Sequence, residues 1–233
     1  TFRQDNGAAS KPSRIEQRDG SGRLLRSQVY EYTTNGTTVP WTALTTGRWE
    51  YTYAGTGAAC PGADCKRKYT SRAYNAYGES TQEVDYGDYD VSGDETTTRT
   101  TFVPNTTAYI VNLPANVRTF QGVGTGGALL NQTVAYYDGA PGWNVEPSLG
   151  FVTTMASWLS SPSSFVVTKT EYDAWGNNTA KVNSLGARME RVKGWIERAA
   201  PDVLLLQETK LADADAPHAF FEGLGYRFED RGR

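Results

Sequence analysis

Histidine and cysteine are nearly absent from this 233-residue sequence: one of the first, two of the second. His218 lies far from Cys60 and Cys65 along the chain, and no second cysteine pair exists, so a zinc site would have only half of its usual ligands. Long apolar runs are missing too. None approaches the roughly 20 residues a membrane-spanning helix needs, which excludes a transmembrane helix. Neither sign of charge dominates: 23 Lys and Arg stand against 26 Asp and Glu, a net charge of -3, so no global basic field advertises nucleic acid as a partner. The chain begins at Thr1 without a charged n-region or an apolar h-region. It reads as a piece of a longer protein, and the missing signal says nothing about export.

What is present is glycine, threonine, tyrosine and asparagine, with hydrophobic residues at only 38%. That mixture favours a polar, turn-rich β protein, one large domain or two smaller units, over a helical bundle. Arg18-Asp19-Gly20-Ser21-Gly22-Arg23 is a turn signal ahead of a strand over residues 24–32. Asn35-Gly36 is a hairpin signal. Trp49-Glu50-Tyr51-Thr52-Tyr53 alternates large aromatic and polar residues as a strand does. Further strands are expected near 66–74, in a proline-bounded region over 101–114, and at 116–120 and 130–136. The glycine-rich link at 122–127 lacks the Lys-Ser/Thr ending of a phosphate loop and precedes no helical pattern, so it reads as a flexible hairpin loop. Cys60-Pro61-Gly62-Ala63-Asp64-Cys65 forms a tight loop that favours a small disulfide if the chain is exported, with a partial zinc site or two free thiols as the alternatives.

A repeat runs through this part. Tyr74-Asn75-Ala76-Tyr77-Gly78, Tyr89-Asp90-Val91-Ser92-Gly93 and Tyr172-Asp173-Ala174-Trp175-Gly176 each precede a Thr three residues after the Gly, and Tyr137-Asp138-Gly139 is a degenerate relative. An aromatic ends one strand, an Asx leads the turn, Gly takes the positive-φ position, and Thr begins the return strand. Such hairpins cannot bury their own faces, so neighbours must stack into a continuous sheet. On these units, and on the segments 102–120 and 124–138, the chain resembles the YD-repeat, or RHS, family of exported bacterial shell proteins over about 180 residues. The resemblance implies an extracellular shell whose strands enclose a toxic polypeptide or abut other shell segments, without catalytic residues in the repeats. The family's motif ahead of the toxin, rich in Asp-Pro, Gly and Asn-Tyr, is not found.

From about residue 182 the pattern changes. Leu185, Met189, Val192, Ile196 and Ala199 fall on one face of an amphipathic helix that Pro201 ends. Val203-Leu204-Leu205-Leu206 reads as a buried strand, 216–224 as a short helix capped by Gly225, and Tyr226 as the start of another strand. With Asn183-Ser184-Leu185, Pro201-Asp202-Val203, Leu206-Gln207-Glu208-Thr209-Lys210 and Phe221-Glu222-Gly223-Leu224-Gly225-Tyr226, this part resembles the opening of the exonuclease III family of apurinic/apyrimidinic endonucleases. Those proteins have the endonuclease/exonuclease/phosphatase fold. The resemblance implies a cytoplasmic, magnesium-dependent enzyme hydrolysing DNA phosphodiester bonds in repair, with Glu208 as the Mg2+ ligand and Asn183, Gln207 and Lys210 beside the site. Lys181 stands where the family carries an Asn, and the family's later metal, phosphate and water-activating residues are not reached before Arg233. The expectation is therefore a mainly β chain with a short C-terminal α/β segment, divided as 1–181 and 182–233. As a hybrid it is expected to be inactive on DNA and to bind magnesium weakly.

Overall fold

The computed structural model describes residues 1–5, 7–54, 60, 62, 64–160, 164–183, 189–200 and 218–227. Strands dominate, and the chain is mainly β. They are β1 (Arg14–Arg18), β2 (Leu24–Asn35), β3 (Thr42–Tyr53), β4 (Cys65–Tyr74), β5 (Ser80–Asp88), β6 (Thr96–Phe102), β7 (Pro114–Gln121), β8 (Leu129–Tyr137), β9 (Val152–Leu159), β10 (Ser164–Tyr172) and β11 (Asn178–Asn183), followed by helices α1 (Met189–Ala199) and α2 (His218–Gly223). Strand order is sequence order, and the pairings from β1 to β7 and from β8 to β11 are antiparallel. Two compact units result, Thr1–Gln132 and Thr133–Arg233.

The turn at Asn75 is a small device built from one side chain. Asn75 Oδ1 accepts the N–H groups of Tyr77 and Glu79, the Asn75 N–H bonds the Glu79 carbonyl, and the Gly78 N–H bonds the Asn75 carbonyl. Asp173 makes the same four bonds with Trp175, Asn177 and Gly176. Asp19 makes them again with Ser21, Arg23 and Gly22. In all three the flanking strands slip register just before the Asx residue, and the glycine has φ between 83° and 86°. The Tyr89 to Thr96 unit does not share this turn. Asp90 is taken by Arg67, the Asp94 carboxylate accepts the Asp88 N–H, and the Gly93 N–H goes to Glu95. The recurrent turn therefore includes Asp19, where the preceding residue is Arg and not Tyr, and omits Asp90, where the tyrosine pattern fits.

These glycines provide a graded test. A β-carbon at Gly22 meets nothing within 4 Å, and at Gly78 it meets only Leu44 Cδ2 at 3.7 Å, whereas at Gly176 it lies 2.8 Å from Phe151 Cζ. Phe151 is itself stacked on Tyr172, with ring centroids 5.0 Å apart. Alanine at Gly22 or Gly78 is expected to cost about 1–2 kcal/mol for the left-handed backbone alone. Alanine at Gly176 should cost about 1–3 kcal/mol more, because the ring has to move. Chemical unfolding midpoints of the three variants check this, and equal losses at all three would refute the collision.

Other connections depart from the sequence expectations. Asn35 and Thr42 are the last pair of β2 and β3, so the loop is residues 36–41 and not a two-residue Asn-Gly turn. The Asn35 side chain accounts for this, since its Oδ1 accepts the Thr38 N–H and the hydroxyls of Thr37 and Thr38. The region 101–114 is not one strand. β6 ends at Phe102, and Asn105 Oδ1 accepts the N–H groups of Thr107 and Ala108 in a turn closed by the Asn105–Ile110 bridge. The glycine-rich link joins β7 to β8 as a hairpin loop and is pinned to the sheet. The Thr97 hydroxyl donates to the Gly122 carbonyl and accepts the Gly124 N–H, both at 2.8 Å.

At the other end of the chain, α1 buries Ile196, half-buries Val192 and leaves Trp195 exposed. Val192 and Ile196 lie on the face predicted by the four-three spacing, whose other members, Leu185 and the side chains of Met189 and Ala199, are outside what is described. α2 closes in a Schellman cap in which Gly225 has φ 86°, its N–H bonds the Glu222 carbonyl, and the Tyr226 N–H bonds the Phe221 carbonyl. No helix among the described residues is long and apolar enough to cross a membrane.

Candidate functional site

In the first unit, side-chain alternation sorts the sheet into two faces. Trp49, Tyr51 and Tyr53 on β3 share a face with Arg67 and Tyr69 on β4, because Trp49 pairs with Tyr69 and Tyr51 with Arg67. Arg48, Glu50 and Thr52 share the other with Lys66 and Lys68. The second face is self-neutralised by Arg48–Glu50, Lys66–Asp88, Lys68–Asp85 and Arg72–Glu83 ion pairs, around a shallow depression lined by Glu50, Thr52, Lys66, Lys68 and Asp88. Such exposed pairs contribute little to stability.

The first face carries an aromatic cluster. Trp49 stacks on Tyr69 with centroids 4.4 Å apart and meets Tyr89 edge-on at 4.7 Å, while Tyr86 lies 5.3 Å from Tyr69 and 5.9 Å from Tyr89. The β5 bulge that brings Tyr86 and Tyr89 together is made at Gly87, φ 59°, where any side chain would strike the Asp94 carboxylate. The Arg67 guanidinium sits 5.0 Å from the Tyr89 ring centre and 5.8 Å from that of Trp49, and both oxygens of Asp90 accept its hydrogen bonds. The Asp90 hydrogen bond holds Arg67 more firmly charged and Asp90 below the usual carboxylate range.

Glu31 on β2 reaches into the same cluster. Its carboxylate accepts the Trp49 indole N–H at 3.1 Å and the Tyr69 hydroxyl at 2.9 Å. Gly47, the residue opposite Glu31, gives it room, since a β-carbon there would run into that carboxylate. Burial, and then the hydrogen bond to Glu31, push the Tyr69 hydroxyl up to about 12. The Trp49 indole and the Tyr69 hydroxyl are thus both held by Glu31, and the Arg67 guanidinium by Asp90, so the rings are tied together by polar contacts as well as by stacking.

No family model matches the chain, and no curated protein is similar to it.

Of the residues that sequence patterns picked out, Cys60, Cys65, Lys181 and Asn183 are among those the structure describes. Cys60 and Cys65 form a disulfide, with their α-carbons 5.5 Å apart. Asn183 ends β11 opposite Thr168, and Lys181 pairs with Thr170. Gln207, Glu208 and Lys210 lie outside the described residues. Among the described residues there is no group of three or more His, Cys, Asp or Glu side chains able to hold a metal ion. The aromatic cluster was missed because Trp49, Tyr69 and Tyr86 come from three strands and Tyr89 from the turn after β5, and they meet only through register. The Trp-x-Tyr-x-Tyr alternation in β3 was the one local signal of it.

Proposed function

We propose that residues 1–181 are a non-catalytic wall segment of an exported β-shell of the YD-repeat kind. Residues 182–233 are then the opening of an exonuclease III-like α/β segment joined to it. The observation that carries the first part is the recurrence of one Asx-led turn at Asp19, Asn75 and Asp173 along a sheet whose strands follow chain order. Identical corners on a sequential meander are what a wall built by repetition needs, and each added hairpin covers the edge of the one before it. The platform of Trp49, Tyr69, Tyr86 and Tyr89 suits such a wall, because it presents contact area without a reactive group. Partners of the wall are other shell segments or an enclosed polypeptide.

The second part is supported by α1 and by the Gly225 cap of α2, which fall where the nuclease resemblance places a helix and a Gly-Tyr corner. Magnesium bound at Glu208 would supply Lewis-acid activation of a DNA phosphodiester. With Lys181 in place of the family's Asn, one carboxylate is a poor site for a cation that gives up its water reluctantly. The expected result is that the chain leaves abasic-site DNA uncut at millimolar magnesium and self-associates through its open strand edges as concentration rises in sedimentation velocity. Magnesium-dependent cleavage that disappears in Glu208→Ala, from a chain that stays monomeric throughout, would overturn the proposal.

A further inference from the structure

Arg99 on β6 and Arg118 on β7 are direct cross-strand partners. Both lie on the aromatic face, two residues along from the Thr97–Phe120 pair, which continues the row formed by Ser71 and Val84. Like charges placed directly opposite each other on a sheet are unfavourable unless something neutralises them. Arg48 on β3 and Arg67 and Arg72 on β4 each hold a carboxylate. Arg99 and Arg118 hold none among the described residues. Arg99 gives one hydrogen bond to the Gln82 side-chain carbonyl at 2.9 Å, and the Arg118 guanidinium lies 5.6 Å from the Phe120 ring centre with its Nε buried and without a hydrogen-bond partner.

The same face shows what completes such an arrangement. Arg67 also lies over aromatic rings, and there the guanidinium is closed by the two oxygens of Asp90. We propose that Arg99 and Arg118 bind the carboxylate side chains of an acidic polypeptide laid across this face. A carboxylate matches the guanidinium fork in two parallel bonds, and Gln82 is placed to fix the edge of the site. A polypeptide suits the site better than a nucleic acid, because the chain carries a net charge of -3 and, among the described residues of this face, Arg99 and Arg118 are a single local pair of cations without the extended basic track a polyanion needs. The inference rests on strand register and holds whether or not the strands belong to a shell.

The test titrates the full chain with a synthetic alternating Glu-Thr peptide, with its Gln-Thr counterpart and with inorganic phosphate. The Glu-Thr peptide is expected to bind and the Gln-Thr peptide not. Arg99→Ala and Arg118→Ala should each weaken binding by about tenfold or more, as loss of a close charge pair does. Arg26→Ala, opposite Thr52 on the other face and without a carboxylate partner among the described residues, should leave it unchanged. Arg99→Glu supplies the missing carboxylate within the chain, so it should abolish peptide binding and raise the melting temperature. Equal loss in Arg26→Ala, tighter binding of phosphate than of the Glu-Thr peptide, or an Arg99→Glu protein that melts lower or still binds the peptide would overturn the proposal.

Discussion

Replacing Asp138 with alanine is expected to destabilise the second unit by about 3–5 kcal/mol. Asp138 Oδ2 accepts the N–H groups of Ser148, Leu149 and Gly150 at 2.7, 3.0 and 3.1 Å, and Oδ1 accepts that of Phe151 at 2.8 Å. One side chain thus ties down the whole return of the 138–151 loop onto β9. Ser148 and Leu149 are exposed and can turn to water, but the amides of Gly150 and Phe151 are partly buried and lose their acceptor. Two such losses cost about 1–2 kcal/mol each. The remaining part comes from the backbone, because Asp138 has φ 55°, a conformation that Asp tolerates better than Ala. Asp138→Gly should therefore be the milder variant by about 1 kcal/mol.

The pH dependence has a definite sign. Burial raises the Asp138 carboxyl, but the four backbone N–H groups outweigh it and hold the carboxyl below its ordinary value of 3.8. A folded value below the unfolded one contributes stability that is present above pH 3.8 and lost as pH falls through the depressed value. Wild-type stability should thus fall more steeply in acid than that of Asp138→Asn, and the two curves should converge at the lowest pH. Urea midpoints across that range decide the matter. Ala and Gly variants within a few tenths of a kcal/mol of wild type would show that the loop is held by something else.

The second large effect is expected from Trp49→Ala. The ring is only half-buried, so the loss should fall at the lower end of the range for large aromatic truncations, about 2–4 kcal/mol. It removes the Tyr69 stack, the Tyr89 edge contact, part of the Arg67 support and the indole donor to Glu31. Tyr69 reports on it directly. Its hydroxyl ionises at about 12 against an ordinary 10.0, chiefly through burial and then through Glu31. A folded value above the unfolded one contributes stability that is complete below pH 10 and disappears as pH rises through about 12. Uncovering Tyr69 should bring its ionisation back toward 10.0, visible as phenolate absorbance appearing at lower pH. A variant as stable as wild type, with Tyr69 still titrating last, would show that the cluster is incidental surface.

Many of the strands were legible in the sequence. The strands at 24–32, 49–53, 66–74, 116–120 and 130–136 all lie within strands of the structure, because aromatic and β-branched residues alternate there with polar ones. β9 and most of β10 went unread. Their sequences, Val-Thr-Thr-Met-Ala-Ser-Trp-Leu and Ser-Phe-Val-Val-Thr-Lys-Thr-Glu-Tyr, alternate too weakly to stand out and are defined by their partners. The repeat was read through its tyrosines, yet the turn depends on the Asx side chain and a glycine with positive φ. Asp19 was therefore read as a turn signal but not as a copy of the repeat, and Asp90 was included although Arg67 engages it.

What the sequence determined by itself is local: where strands run, where an Asx and a Gly permit a corner, which face of α1 is apolar, and that Cys60 and Cys65 sit in a loop short enough to join. Each depends on residues within a few positions of one another. What only the tertiary structure decided is which side chains share a face. Glu31, Gly47, Trp49, Tyr69 and Tyr89 span nearly sixty positions, and Arg99 meets Arg118 only because β6 and β7 pair in one register. A shift of one residue would send those side chains to the opposite face, so the platform and the paired arginines belong to the register and to no segment read alone.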